Sequence, residues 1–356
     1  MDDVESPQSG EPLFEDFRNF VERYFPIEEE LFEFNAPTFY VSEIPDMKNR
    51  FLALLKDLDH IGYLATMRRI NRRIRIQVFR KIPTRPSDRR INVALFFATI
   101  GTTFIAGFIQ SMRLENPFLN AGLFTIAIMS VLGLHEMGHK LAIKKHGLEA
   151  SDPYFIPGPP PLGTFGAVIS QKSMIPNKDA LFDLGAMGPI VGFVVAVIVT
   201  IIGLPLSELK WVETIRPGAL PPPILYEYLI VRLLEIPPNP QHLPYLEITL
   251  HPIALAGYVG ILVTMLNLIP AGQLDGGHIA YCFLGRRSRR IVGFAAIGFL
   301  FLTSYWFFAL FALFTMFQPH PDPLDTVSKV SLSRKLVALV VIAIFVLSLT
   351  PPQFPF

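Results

Sequence analysis

One cysteine among 356 residues, Cys282, rules out an intrachain disulfide and a zinc site built from thiolates, so any metal here must be held by nitrogen and oxygen. Charge is scarce too. Asp, Glu, Lys and Arg make up 17% of the chain against 51% hydrophobic residues, and the mean hydropathy is +0.42. That balance excludes an ordinary water-soluble chain of this length and predicts a membrane protein. The net charge of +1 points to no acidic partner. The opening Met1-Asp-Asp-Val-Glu5 lacks the basic and apolar regions of a signal peptide and the Arg-rich, acid-poor character of a transit peptide. The expectation is therefore a prokaryotic cell membrane.

The charge that is present is unevenly placed: mostly acidic up to Glu33, almost wholly basic from Arg68 to Arg90. Residues 1–86 read as a small soluble α+β domain. Phe14, Phe17, Phe20, Tyr24 and Phe25 recur at helical spacing as a packing stripe, and Asp46 to His60 puts Phe51, Leu54, Leu55 and Leu58 on one helix face. Thr38 to Ile44 is β-rich, and Arg73 to Arg80 alternates with period two, as a half-buried strand does. Because hydrophobic spans follow at once, the arginines are read as facing anionic lipid headgroups or marking orientation, and no nucleic acid is expected.

Residues 87–356 read as an all-α polytopic membrane domain with about six transmembrane helices. The apolar runs are Ile91–Ser111, Leu119–Ile143, Leu181–Leu204, Pro252–Leu268, Ile291–Phe317 and Leu336–Leu349, each near the ~20 residues a bilayer demands. Three basic clusters, Arg85/Arg89/Arg90, Lys140/Lys144/Lys145 and Arg286/Arg287/Arg289/Arg290, fall on one side if the N-terminus is cytoplasmic. Between the second and third spans, Pro153 to Ser170 is apolar but too rich in proline and glycine for a helix. Such backbone survives at membrane depth only if it is buried in protein or lines a wet cavity, so a re-entrant β-like loop is expected. Its β-prone end, Gly166-Ala167-Val168-Ile169-Ser170, offers an edge to an extended peptide; the alternative is an exposed Pro-rich loop. The Pro-rich stretch from Leu204 to His251 reads as an extracytoplasmic cap or linker.

The second span carries Leu132-Gly-Leu-His135-Glu136-Met-Gly-His139-Lys140. Four residues apart on a helix, His135 and His139 project from one face and can share a metal ion, with Glu136 beside them. The preceding Leu119 to Leu134 has no charge, and ionisable groups in such a setting are costly and usually functional. Two neutral imidazoles leave zinc a protein ligand short, since hydrolytic sites use three and keep a position for water. The end of the fourth span, Asn267-Leu-Ile-Pro-Ala-Gly-Gln-Leu-Asp275-Gly-Gly-His278, supplies one carboxylate, Asp275. In the orientation above it arrives at the depth of His135. Two imidazoles and one carboxylate leave zinc at +1, which a bound hydroxide cancels, so the cluster can be buried. The other readings are Asp275 as a helix cap, Asn267 as an interhelical hydrogen-bonding group and His278 as a solvated interface residue rather than a ligand.

Together, His135-Glu-Met-Gly-His139 in a span and Asn267-Leu-Ile-Pro-Ala-Gly-Gln-Leu-Asp275-Gly276 closing a later one resemble the site-2 protease family of intramembrane zinc metalloproteases. The resemblance covers about Leu119 to Leu284. Gly163-Thr-Phe-Gly-Ala-Val-Ile169 and Gly188-Pro-Ile-Val-Gly192 are similar to the plant and prokaryotic branch with a soluble N-terminal region. It implies one zinc per chain on His135, His139 and Asp275, Glu136 as catalytic acid/base, and Asn267 helping to position substrate. It also implies membrane-tethered substrates such as single-pass proteins or peptides; the β-prone edge at Gly166, Ala167, Val168 and Ile169, read from its own residues, is expected to hold them in addition. No stretch resembles the PDZ or CBS modules of some relatives. The expected reaction is peptide-bond hydrolysis within the bilayer. The alternative is a zinc carrier or an inactive zinc-binding scaffold; a carrier predicts further ligand-type residues through the spans, and the third and fifth are nearly bare of them apart from Asp183.

Overall fold

Helical and alternating periodicities near the start of the chain become α1 (Phe14–Glu22), β1 (Ile27–Glu33), β2 (Ala36–Val41), α2 (Met47–His60), β3 (Tyr63–Ile70) and β4 (Arg73–Arg80) in this computed structural model. It describes residues 13–83, 87–214, 221–239, 243–302, 305–318 and 322–350. Arg85 of the first basic cluster and the acidic residues up to Glu11 lie outside them.

The four strands form an antiparallel sheet in the order β1-β2-β4-β3. Each hairpin turns on two residues with positive φ, Phe34-Asn35 and Asn71-Arg72, a backbone twist that matches that of the strands it joins. Alternation works as the period requires: Ile74, Ile76 and Val78 of β4 are buried and meet Phe51, Leu54 and Leu58 from α2 and Phe17 and Val21 from α1. The sequence pattern located α2 and β4 but not β1 or β3. β1 is written Ile-Glu-Glu-Glu-Leu-Phe-Glu, and its ion pairs to Arg18 and Arg73 are invisible without the fold.

This unit does not end near residue 86. It comprises 1–85 together with 174–178 and 321–330. The backbone of Met67 at the β3 edge donates to Leu324 (2.8 Å) and accepts from Thr326 (3.2 Å). Leu324 and Asp325 in turn donate to the carbonyls of Ile175 (2.8 Å) and Pro176 (2.9 Å). Leu324 is buried in the core, and Arg68 donates to the carbonyls of Pro323 and Leu324 at 2.7 Å each. Two segments distant in sequence thus cover an edge that would otherwise be open for pairing.

The remaining chain forms the second unit: α3 (Arg89–Ser111), α4 (Pro117–Lys145), β5 (Tyr154–Pro157), β6 (Thr164–Val168), α5 (Lys178–Gly203), β7 (Glu208–Val212), α6 (Ile224–Leu233), β8 (Tyr245–Thr249), α7 (Pro252–Asn267), α8 (Asp275–Phe283), α9 (Arg286–Phe301), α10 (Trp306–Met316) and α11 (Leu332–Ser348). Among the described residues three helices are long and apolar enough to cross a membrane, at 89–111, 117–145 and 178–206; α7 is apolar but shorter. Large apolar side chains stay exposed on them, Phe97, Ile126 and Ile202 among others, as expected of helices that face lipid.

The expected unbroken span from Ile291 to Phe317 takes another form. α9 and α10 fold back on each other, so that a Cβ at Gly293, midway along α9, would stand 3.1 Å from the Met316 side chain at the end of α10. The apolar run contains no proline and gives no hint of the break; the packing of α10 against the turn before α8 decides it. Among the described residues the helices do not confirm six crossings.

Glycines set the packing at the centre. α5 runs antiparallel to α7: a Cβ at Gly260 would lie 2.6 Å from Ala196 Cβ, one at Gly257 2.7 Å from the Thr200 nitrogen, and one at Gly203 would collide with Ala254. Gly260 also abuts Val131 of α4. With no hydrophobic drive between helices in lipid, such close approach supplies the van der Waals contact that binds them. On α3, the small and polar residues Thr99, Thr103, Ala106 and Gly107 form the buried stripe.

Candidate metal centre

His135, Glu136 and His139 are all buried in α4, where nothing in the preceding turns but packing groups surrounds them. Two close approaches from α5 make room for the rings. A Cβ at Gly192 would lie 2.7 Å from His135 Nδ1, and one at Gly188 would sit on His139 Nε2. Gly138 is needed in the same way, its Cβ position being 2.5 Å from the Met187 carbonyl oxygen. The Gly188-Pro-Ile-Val-Gly192 sequence is thus the surface against which both imidazoles rest.

The turn after α7 carries the third group. Gly272 takes φ of +52° and leaves no space for a side chain against Thr315 of α10; Gly276 and Gly277 do the same against the carbonyls of Leu268 and Gly272. The tight turn brings Asp275, first residue of α8, to α4: its Oδ2 is 3.4 Å from His135 Nε2 and 3.4 Å from His139 Nε2. The two Nε2 atoms are 3.1 Å apart. Ligand atoms at ~2.0–2.2 Å from a tetrahedral zinc stand about 3.3–3.5 Å from one another, so these three atoms fit one face of such a tetrahedron. The N-cap of α8 is Leu274, and Asp275 is the first helical residue after it.

A hydrogen bond also orients one ring. His139 Nδ1–H donates to the Leu184 carbonyl of α5 at 2.8 Å, leaving the Nε2 lone pair for a cation. Asn267 Nδ2 lies 3.3 Å from His135 Nε2. Glu136 offers a carboxylate oxygen within 4.8 Å of the two imidazole nitrogens, and the Ile169 backbone N–H faces that carboxylate.

Gly166, Ala167 and Val168 lie in β6, which pairs antiparallel with β5: Phe155 with Ala167, Ile156 with Gly166. Among the described residues, this two-stranded sheet leaves the far edge of β6 without a strand. Gly166 has φ of +107°. The loop is strapped to α3, where Thr102 donates to the Gly163 carbonyl (2.6 Å) and Asn92 to those of Asp152 (2.8 Å) and Pro153 (3.0 Å). The Pro-rich stretch is therefore an ordered hairpin. His278 stands near Gly185. Sequence reasoning missed the Leu184 carbonyl and the Ile169 N–H, because backbone groups leave no mark on residue identity; the neighbouring glycine motif was the available signal.

The chain belongs to Peptidase family M50, whose sequence model matches residues 123–311, more than half of its length. The site-2 protease resemblance is thereby borne out. Among curated proteins it is similar to "Probable zinc metalloprotease EGY2, chloroplastic" of Oryza sativa subsp. indica, 27% identical over 230 residues covering 62% of this chain and 40% of the relative. The corresponding EGY1 protein of Arabidopsis thaliana is 28% identical over 250 residues, 67% of this chain and 45% of that one. The EGY3 protein of Oryza sativa subsp. japonica is 26% identical over 285 residues, 73% and 47%. The chain thus spans less than half the length of these relatives. No solved structure matches it. The relatives are chloroplastic plant proteins, which gives no support to the prokaryotic cell membrane expected from the opening residues.

Proposed function

We propose that this protein is a zinc endopeptidase that cuts membrane-tethered proteins or peptides within or next to their transmembrane segments. The observation that carries this reading is the 3.1, 3.4 and 3.4 Å triangle of His135, His139 and Asp275 atoms, with Glu136 beside it on an apolar helix. His135 Nε2, His139 Nε2 and Asp275 Oδ2 would hold zinc, which when bound polarises a peptide carbonyl and makes a water more acidic. Glu136 takes the proton from the attacking water and returns it to the leaving amine as the C–N bond breaks, a transfer its position beside the ligands allows.

The substrate must be unwound, because a helix hides its carbonyls in its own hydrogen bonds. The free β6 edge, Gly166 to Ile169, would pair with the extended strand, and the Asn267 amide would bind its backbone. A zinc carrier needs ligand-type residues through the spans, but the acidic groups of α5, Asp179 and Asp183, are taken up by Ser331 and by Lys145, His146 and Arg334. The trial is Glu136→Gln in the purified full chain with membrane-spanning peptides. Zinc retained and cleavage abolished is the expected result; undiminished cleavage ends the proposal. Asp275→Ala should release zinc by elemental analysis, and unchanged metal content would remove Asp275 from the ligand set.

For the membrane arrangement we infer five crossings, α3, α4, α5, α7 and α11, with α9 and α10 as a re-entrant hairpin. Residues 1–85, 174–178 and 321–330 belong to one hydrogen-bonded unit through which no bilayer can pass. The chain between 178 and 321 must then cross an even number of times, and α5 and α7 account for two. At 11 residues α10 is about 16 Å long, too short to cross a ~30 Å hydrocarbon core, and α9 packs back against it. An odd number of crossings puts the end of α11 on the face opposite the start of α3. Impermeant maleimide applied to intact vesicles should label cysteines placed at Glu43 and at the C-terminus from opposite faces, in a Cys282→Ser background. Labelling from the same face would restore the six-span count.

A further inference from the structure

The Leu184 carbonyl that holds the His139 ring is not secured by its own helix alone. Pro189 lies inside α5 and has no N–H for the carbonyl of Gly185, and Gly185 and Gly188 flank this turn, so the backbone here is the most easily distorted part of α5. The residue just before Leu184 is Asp183, a buried carboxylate with partners on two other helices. Its Oδ2 accepts from Lys145 Nζ (2.9 Å) and His146 Nε2 (2.9 Å), both at the C-terminal end of the helix that carries His135 and His139. Arg334 of α11 grips both oxygens, Nε to Oδ1 at 3.0 Å and Nη2 to Oδ2 at 2.8 Å, the two-pronged geometry of the strongest charge-assisted pairs.

We propose that Asp183 is a positioning residue for the metal centre. By tying α5 to the end of α4 and to α11, it fixes the Leu184 carbonyl that sets the tautomer and orientation of His139. This rests on the zinc reading above. Groups that orient a ligand imidazole typically contribute 10- to 100-fold to metal affinity when they act directly. Asp183 acts one residue away, so a loss of about 10-fold is expected.

The experiment titrates purified full-length protein with zinc against a chelator of known affinity, and records the ligand-field spectrum of the cobalt-substituted form. Wild type should bind one metal tightly. Asp183→Asn should bind about 10-fold more weakly with an altered cobalt spectrum, and Arg334→Gln, which leaves Lys145 and His146 on the carboxylate, should show a smaller loss. Arg334→Lys, keeping one charge, should recover part of it. If Asp183→Asn does not fold, Arg334→Gln decides. Wild-type protein without metal would overturn the zinc reading itself and this inference with it. Wild-type binding matched within twofold by the folded variants, with an unchanged cobalt spectrum, would overturn the positioning role alone.

Discussion

In the N-terminal unit large side chains fill the space between elements: Phe25, Phe39, Phe51, Leu54 and Leu58 are wholly buried there. Around the metal centre the helices meet at positions with almost no side chain, Gly138, Gly188 and Gly192 beside the histidines and Gly257 and Gly260 between α5 and α7. The contrast reflects the solvent. In water, apolar area removed from contact stabilises at roughly 25 cal/mol per Å², so bulk is favoured. Between helices in lipid that gain is missing and close approach replaces it. The first unit should therefore be broken by removing atoms and the second by adding them.

The largest effect should come from one methyl group. Gly188→Ala places its Cβ on His139 Nε2, so zinc measured by elemental analysis should fall to near zero while the helical content by circular dichroism stays; full zinc occupancy would show that the rings do not rest on α5. Phe51→Ala should cost the N-terminal unit about 3–5 kcal/mol, read as lost protection of β3 and β4 amides in hydrogen exchange. A change below ~1 kcal/mol would mean that this core is not close-packed.

Gly166→Ala separates space from backbone freedom. Nothing stands within 4 Å of its Cβ position, yet φ is +107°, so a strain of about 1–3 kcal/mol should loosen the β6 edge and slow peptide cleavage several-fold, with zinc content unchanged. Equal cleavage would remove β6 from substrate binding. Smallest of all is Arg69→Gln. The Arg69 guanidinium bonded to Glu43 holds that carboxyl below its usual value of 4.5. A lowered carboxyl stabilises the fold above its unfolded pKa and loses that contribution as pH falls through the folded value, so any difference between variant and wild type should be largest above the ordinary value of 4.5 and vanish once pH has fallen through the lowered one. Both groups are exposed and screened, so melting curves at pH 7 should nearly superimpose.

Much of the centre could be read from residue identity. His135 and His139 share a helix face through 3.6-residue periodicity, and Asp275 was the one carboxylate in the motif that closes a later apolar helix. α2 and β4 were likewise announced by period. What escaped notice depends on groups that every residue has or on partners far along the chain: the Leu184 carbonyl, the Ile169 N–H, the four bonds converging on Asp183, and the pairing of 174–178 and 321–330 with β3.

Sequence by itself determined that the chain is a lipid-facing metallopeptidase relative, because composition and the spacing of a few donors on a helix are local properties. Tertiary structure alone decided that α9 and α10 turn back, that the N-terminal unit gathers three separate segments, and that α5 approaches closely enough to hold the imidazoles. These depend on which surfaces meet, and the free energy of a meeting belongs to both partners, so neither segment's residues record it alone.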